Sequence, residues 1–117
     1  MSHKYKFRPV LGFVLAVWLT ATTSITSYAA DFEANLTIEN HEFSPKTLKV
    51  PANTRVKLTI SNLDSSAEEF ESHALNREKV IPGKTKAVIY IGPLNPGQYS
   101  YFGEFNPKTA QGIIVAE

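Results

Sequence analysis

Six consecutive residues concentrate the reactive chemistry of this 117-residue chain. Glu68-Glu69-Phe70-Glu71-Ser72-His73 set three carboxylates and one imidazole side by side. In an extended backbone side chains alternate between faces, so Glu69, Glu71 and His73 share one face and Phe70 and Ser72 the other. Carboxylates two residues apart repel one another unless a cation or a basic side chain sits among them. Carboxylate oxygen and imidazole nitrogen suit hard and borderline cations. Glu104 lies where the last part of the chain turns over, and a loop acid there can join the same site. The candidate metal ligands are therefore Glu69, Glu71, His73 and Glu104. The competing reading is a solvated charged run neutralised by Arg77 and Lys79, which lie close in sequence. His41, in Glu39-Asn40-His41-Glu42, reads as a loop residue, and Tyr99, Tyr101, Phe102 and Phe105 read as core and rim packing.

Other chemistries lack their residues. There is no Gly-x-Ser-x-Gly, no Gly-rich phosphate loop and no His-Glu-x-x-His, so no enzyme class is indicated. The chain has no cysteine, and its one methionine is Met1. Thiolate and thioether metal sites are thereby excluded, and so are disulfides. Stability must come from core packing alone, or from packing plus a bound metal acting by mass action.

The elements that would position these residues are strands. Ala34–Ile38 and Arg55–Ile60 alternate apolar and polar residues, as half-buried strands do. Leu48–Val50 is a short strand closed by Pro51, and Glu78–Ile81 runs into the Pro82-Gly83 turn. Ala87–Ile91 is rich in β-branched residues. Tyr99–Phe102 and Gly112–Val115 complete the set. Phe43-Ser44-Pro45, Asn62–Ser66, Gly92-Pro93 and Pro96-Gly97 interrupt it. The pattern predicts an all-β, Greek-key sandwich of about seven strands. Asn106–Gln111 reads as one short helical turn with Asn106 as N-cap and Pro107 following it.

The N-terminus reads as a secretory signal peptide. His3, Lys4, Lys6 and Arg8 precede an apolar run of 10 residues, Val10–Leu19, and Ser27-Tyr28-Ala29 supplies the small residues of a cleavage site. A bilayer span needs about 20 apolar residues, so this run is too short to cross. Cleavage after Ala29 or Ala30 leaves one domain, residues 30–117, with 9 Lys/Arg against 11 Asp/Glu. The mature charge of −2 offers no basic stripe for nucleic acid. The expected location is the periplasm, with no membrane span in the mature protein.

Several segments together resemble a known family. Phe43-Ser44-Pro45, Asn62-Leu63-Asp64, Glu68–His73, Lys79–Gly83, Gly92-Pro93-Leu94-x-Pro96-Gly97-x-Tyr99, Gly103-Glu104-Phe105 and Thr109-Ala110-x-Gly112 are similar to the EfeO-type cupredoxin-like domains, over roughly residues 33–117. That resemblance implies a small periplasmic protein binding copper or iron beside a high-affinity iron permease or another periplasmic transport subunit. It implies a role in ferrous iron oxidation or ion hand-over. It also aligns Glu69 with the first histidine ligand of electron-transfer cupredoxins, Gly103 with the cysteine, Asn106 with the second histidine, and Ala110 or Gln111 with the axial methionine. A blue-copper centre requires the cysteine. The remaining expectation is carboxylate and imidazole ligation of copper or iron. The alternative is a sandwich module that docks on a transporter without metal, and a weaker third reading is a ferrous oxidase in its own right.

Overall fold

The structure is a computed structural model that describes residues 4, 9, 12–24 and 31–117. Nine strands form among the described residues: β1 (Phe32–Glu39), β2 (Glu42–Ser44), β3 (Thr47–Val50), β4 (Val56–Asn62), β5 (Glu68–Ser72), β6 (Arg77–Ile81), β7 (Lys86–Ile91), β8 (Gly97–Gly103) and β9 (Gln111–Ala116). They build a four-stranded sheet, β2-β1-β4-β7, and a five-stranded sheet, β3-β9-β8-β5-β6. The chain passes between sheets after β2, β3, β4, β6 and β7. These crossings make β1 parallel to β4 and β3 parallel to β9, while the other pairs are antiparallel.

The all-β sandwich expected from the sequence is present, with more strands than the expected seven. The two additions are β5, over the acidic run Glu68–Ser72, and β2, which the pattern hid. Phe43-Ser44-Pro45 reads as an interruption, yet Glu42–Ser44 pairs with Thr37–Glu39. Asn40 and His41 carry positive φ, at 53° and 58°, which reverses the chain in two residues and returns it to the sheet.

Period-two alternation decides what enters the core. Val56, Leu58 and Ile60 are buried from β4, and Leu36 and Ile38 from β1. Phe43, Phe70 and Tyr101 bring the two sheets together: Tyr101 stands edge-on to Phe43 at 5.0 Å and stacks on Phe70 at 5.0 Å. Burial pushes the Tyr101 hydroxyl pKa up. A Cβ at Gly112 would strike the Tyr101 ring, so the ring packs against bare backbone there.

One end of the sandwich is knitted together by its loops. Asp64 accepts hydrogen bonds from the backbone N–H of Asn40 (2.8 Å) and His41 (2.9 Å), so the β4–β5 loop holds the β1–β2 turn. Lys84 N–H donates to Asp64 O (2.9 Å), which adds the β6–β7 loop. The Thr109 hydroxyl donates to His41 O (2.7 Å), which adds the β8–β9 loop. Buried Asn62 donates from Nδ2 to Ser66 O (2.8 Å) and Ile81 O (3.0 Å) and accepts from Asp64 N–H (3.1 Å). The residues expected to carry chemistry lie at this end and down the outer face of β5.

The proposed cleavage site at Ser27–Ala30 lies outside the described residues. Phe13, Val14, Leu15, Val17, Trp18 and Leu19 belong to no strand and are 73–90% exposed. No helix among the described residues is long and apolar enough to cross a membrane.

Candidate metal centre

β5 has two chemically different faces. Glu68, Phe70 and Ser72 are buried, while Glu69 and Glu71 are partly buried on the outer face. The expected alternation is present over Glu69–Ser72, whereas His73 lies past the end of the strand in the turn that follows.

On the outer face β5 lies between β8 and β6. Register sets Glu71 directly across from Glu78, with Glu69 across from Val80. Glu69, Glu71 and Glu78 each offer one carboxylate oxygen within 4.8 Å of the others. Like charges in direct cross-strand register destabilise a sheet. Glu69 registers the strain: partial burial, a hydrogen bond with Glu78, and the charges of Glu78, Glu71 and Glu104 raise its carboxyl pKa above the usual 4.5. Arg77 does not neutralise the group, because its Nε donates to Tyr90 O (2.9 Å) and its Nη1 to Asn76 O (2.9 Å). None of the ion pairs among the described residues joins a Lys or Arg to these three acids.

The four expected ligands thus do not converge as one set. Glu69 and Glu71 come together. His73 sits beside them, with Nδ1 3.6 Å from Glu71 Oε1 and its ring 5.8 Å from that of Phe102. Glu104 donates its backbone N–H to Glu69 O (2.9 Å) and adds charge to Glu69, but it lies outside the three-carboxylate group. The residue that the sequence reading missed is Glu78. No local pattern marked it: the four-residue turn His73–Asn76, closed by Asn76 at φ 51°, sets Ser72 against Arg77 and so Glu71 against Glu78. Access is open on the side of Glu71 and His73, where a shallow depression of about 160 Å³ is lined by Glu71, Ser72, His73, Asn76, Arg77 and Glu78.

The inner face holds a second constellation. Glu68 is 2% exposed. Its Oε1 accepts from Glu69 N–H (2.9 Å) and Phe105 N–H (2.9 Å), and its Oε2 accepts from Asn106 Nδ2 (2.7 Å). The expected N-cap would have the Asn106 side-chain oxygen accept a backbone N–H of the following turn; no such bond forms among the described residues, and the Nδ2 of that side chain donates inward to Glu68. The turn itself forms, with Ala110 N–H donating to Asn106 O (2.9 Å). A Cβ on Gly103 would lie 2.6 Å from Glu68 Cδ and 2.6 Å from Ala110 Cβ. Gly103, Asn106 and Ala110 thus surround the carboxylate of Glu68, and Glu69 points away from them.

A family model described as a cupredoxin-like domain matches residues 12–116. This chain belongs to the cupredoxin-like domain family. An uncharacterized protein of Rickettsia prowazekii (strain Madrid E) is 45% identical over 83 residues, which cover 71% of this chain and 66% of that protein's length. Among solved structures, auracyanin A of Chloroflexus aurantiacus, a "blue" copper protein, superposes with a TM-score of 0.65 at 13% identity over 75% of this chain and 100% of its own. The purple cupredoxin of Nitrosopumilus maritimus gives a TM-score of 0.57 at 21% identity, covering 72% of this chain and 99% of its own. These two likenesses show the fold.

A blue-copper ion does not fit this cupredoxin-like domain. The positions that the family resemblance assigns to cysteine, second histidine and axial methionine are held by Gly103, Asn106 and Ala110 or Gln111. The side chain facing them is Glu68 rather than Glu69. The alignment of Glu69 with the first histidine is corrected by one residue, because strand alternation turns Glu69 to the outer face. With no thiolate, and with both oxygens of Glu68 occupied by N–H donors, the pocket offers no ligand set for such an ion.

Proposed function

We propose that this is a periplasmic cupredoxin-like protein that binds a divalent copper or iron ion on the outer face of its five-stranded sheet. The observation that carries this reading is the convergence of Glu69, Glu71 and Glu78 to within 4.8 Å, with no Lys or Arg among the described residues ion-paired to any of the three. Three oxygen donors close to one nitrogen donor, His73, match what hard and borderline cations accept. A cation also removes the repulsion between Glu71 and Glu78. The site is shallow, with Glu78 exposed and Glu69 and Glu71 partly buried, which suits capture and hand-over of an ion to a partner. The resemblance to EfeO-type domains supplies the partner class, an iron permease or another periplasmic transport subunit, and a place before or during ferrous iron uptake.

Calorimetric titration of Cu(II) and of Fe(II) under anaerobic conditions tests the proposal. The wild type is expected to bind one ion with saturable affinity, and Glu69→Gln/Glu71→Gln/Glu78→Gln to lose it. Absence of saturable binding tighter than about 100 μM in the wild type would sink the metal reading, since only the weakest oxygen-ligand sites lie beyond that affinity.

The same acids favour a second reading, a docking module for a basic surface on a transport subunit. Phe105, 51% exposed next to Glu104, would add apolar contact. Association that persists in chelator and weakens with salt distinguishes this reading from the first.

A further inference from the structure

We infer that the inner pocket around Glu68 is a closed hydrogen-bonded clamp that takes the structural place of a metal ion and admits none. Glu68 is buried, and its carboxylate meets three donors: the N–H groups of Glu69 and Phe105 on Oε1, and the Asn106 amide on Oε2. A cation there would face N–H groups that point at the same oxygens, and it would have to break three hydrogen bonds to reach them. The other neighbours are Gly103, which has no side chain, and the methyl group of Ala110, which is 0% exposed. Neither can ligate an ion. The space that a side chain at position 103 would need is filled by the Glu68 carboxylate, 2.6–2.8 Å from the ideal Cβ.

The clamp ties two parts of the fold that backbone pairing joins only briefly. β5 and β8 are in register at Phe70↔Gly103 and Glu71↔Phe102, after which the chain leaves the sheet. Glu68 then reaches across from β5 to Phe105 and Asn106 in the β8–β9 loop. It thereby positions the segment that presents Glu104 and Phe105 to solvent. A carboxylate, a backbone N–H and a side-chain amide thus crosslink strand and loop.

This inference stands apart from the outer-face reading. The experiment compares wild type, Glu68→Gln, Asn106→Ala and Glu69→Gln/Glu71→Gln/Glu78→Gln, each melted in chelator and each titrated with Cu(II). Glu68→Gln sets an NH2 group against N–H donors, so its Tm in chelator is expected to fall by several degrees, in the range of about 4–8 °C for each lost hydrogen bond's worth of stability. Asn106→Ala is expected to fall less and serves as the reading should Glu68→Gln fail to fold. Both should keep any Cu(II) affinity of the wild type within about twofold, a shift of only ~0.4 kcal/mol. The inference is overturned if the melting temperatures in chelator are unchanged. It is also overturned if Cu(II) binding is lost in Glu68→Gln or Asn106→Ala and kept in the outer-face variant. If the wild type binds no Cu(II) while the clamp variants melt early, the clamp stands and the outer-face proposal fails.

Discussion

Gly103 is where one atom decides the site. Its missing Cβ leaves room for the Glu68 carboxylate, and Gly103→Ala would set a methyl group 2.6 Å from both Glu68 Cδ and Ala110 Cβ. Ala110 is fixed to its backbone and cannot swing aside, so the overpacking is expected to cost about 1–3 kcal/mol, measured by urea unfolding. An unchanged midpoint would contradict the packing described. Glu69 makes a different prediction. Its raised carboxyl pKa means that the folded state holds a proton more tightly than the unfolded chain does. The stability associated with that proton is present below the ordinary 4.5 and is lost as pH rises through the raised value. In chelator, the wild type should therefore lose stability as pH climbs just above 4.5, and Glu69→Gln should lack that loss. Parallel pH profiles for the two proteins would show that Glu69 is not under strain.

At the scale of elements, two short hairpins do the positioning. The β5–β6 hairpin creates the outer acidic group, because its register alone brings Glu78 to Glu71. The β1–β2 hairpin is held by Asp64, whose carboxylate accepts two backbone N–H groups across 24 and 23 residues of sequence. The His41 N–H is the main influence that lowers the Asp64 carboxyl pKa, against the opposing effect of its partial burial, with the Asn40 N–H and the charges of His41 and Lys84 assisting. A carboxyl lowered in this way contributes stability above the ordinary 3.8, and that contribution is lost as pH falls through the lowered value. Asp64→Ala leaves both N–H groups without their acceptor and is expected to destabilise the fold by about 1–3 kcal/mol near neutral pH. Amide hydrogen exchange should locate the loss at Asn40 and His41. Protection at those two amides equal to that of wild type would refute the capping role.

For the whole molecule, the prediction concerns linkage between cation and fold. Anything that binds the folded state alone stabilises it by mass action, by about 2.7 kcal/mol at a hundredfold excess over its dissociation constant. Cu(II) should raise the Tm of wild type, and the rise should shrink on acidification, because protons compete at Glu69. Glu69→Gln/Glu71→Gln/Glu78→Gln should show no rise. Equal shifts in both proteins would place the ion elsewhere.

Much of the sandwich was legible in the chain. The alternation of Ala34–Ile38 and Arg55–Ile60, and the Pro/Gly punctuation between strands, follow from local geometry, in which a strand shows one face to the core and one to water. The absence of cysteine alone excluded a thiolate centre. The faces of Glu69 and Glu71 were also readable, since alternation needs only neighbours in sequence. What sequence could not supply was any relation between strands. Glu78 joined the acids through hairpin register, and β2 appeared because Asn40 and His41 adopt positive φ. Glu68, in sequence one acid of a charged run, became a buried acceptor for Phe105 and Asn106, 37 and 38 residues away. Side-chain alternation is a local property of the backbone, whereas the donors that satisfy a buried carboxylate come from whichever loop the topology folds over it. Only the tertiary structure decided that.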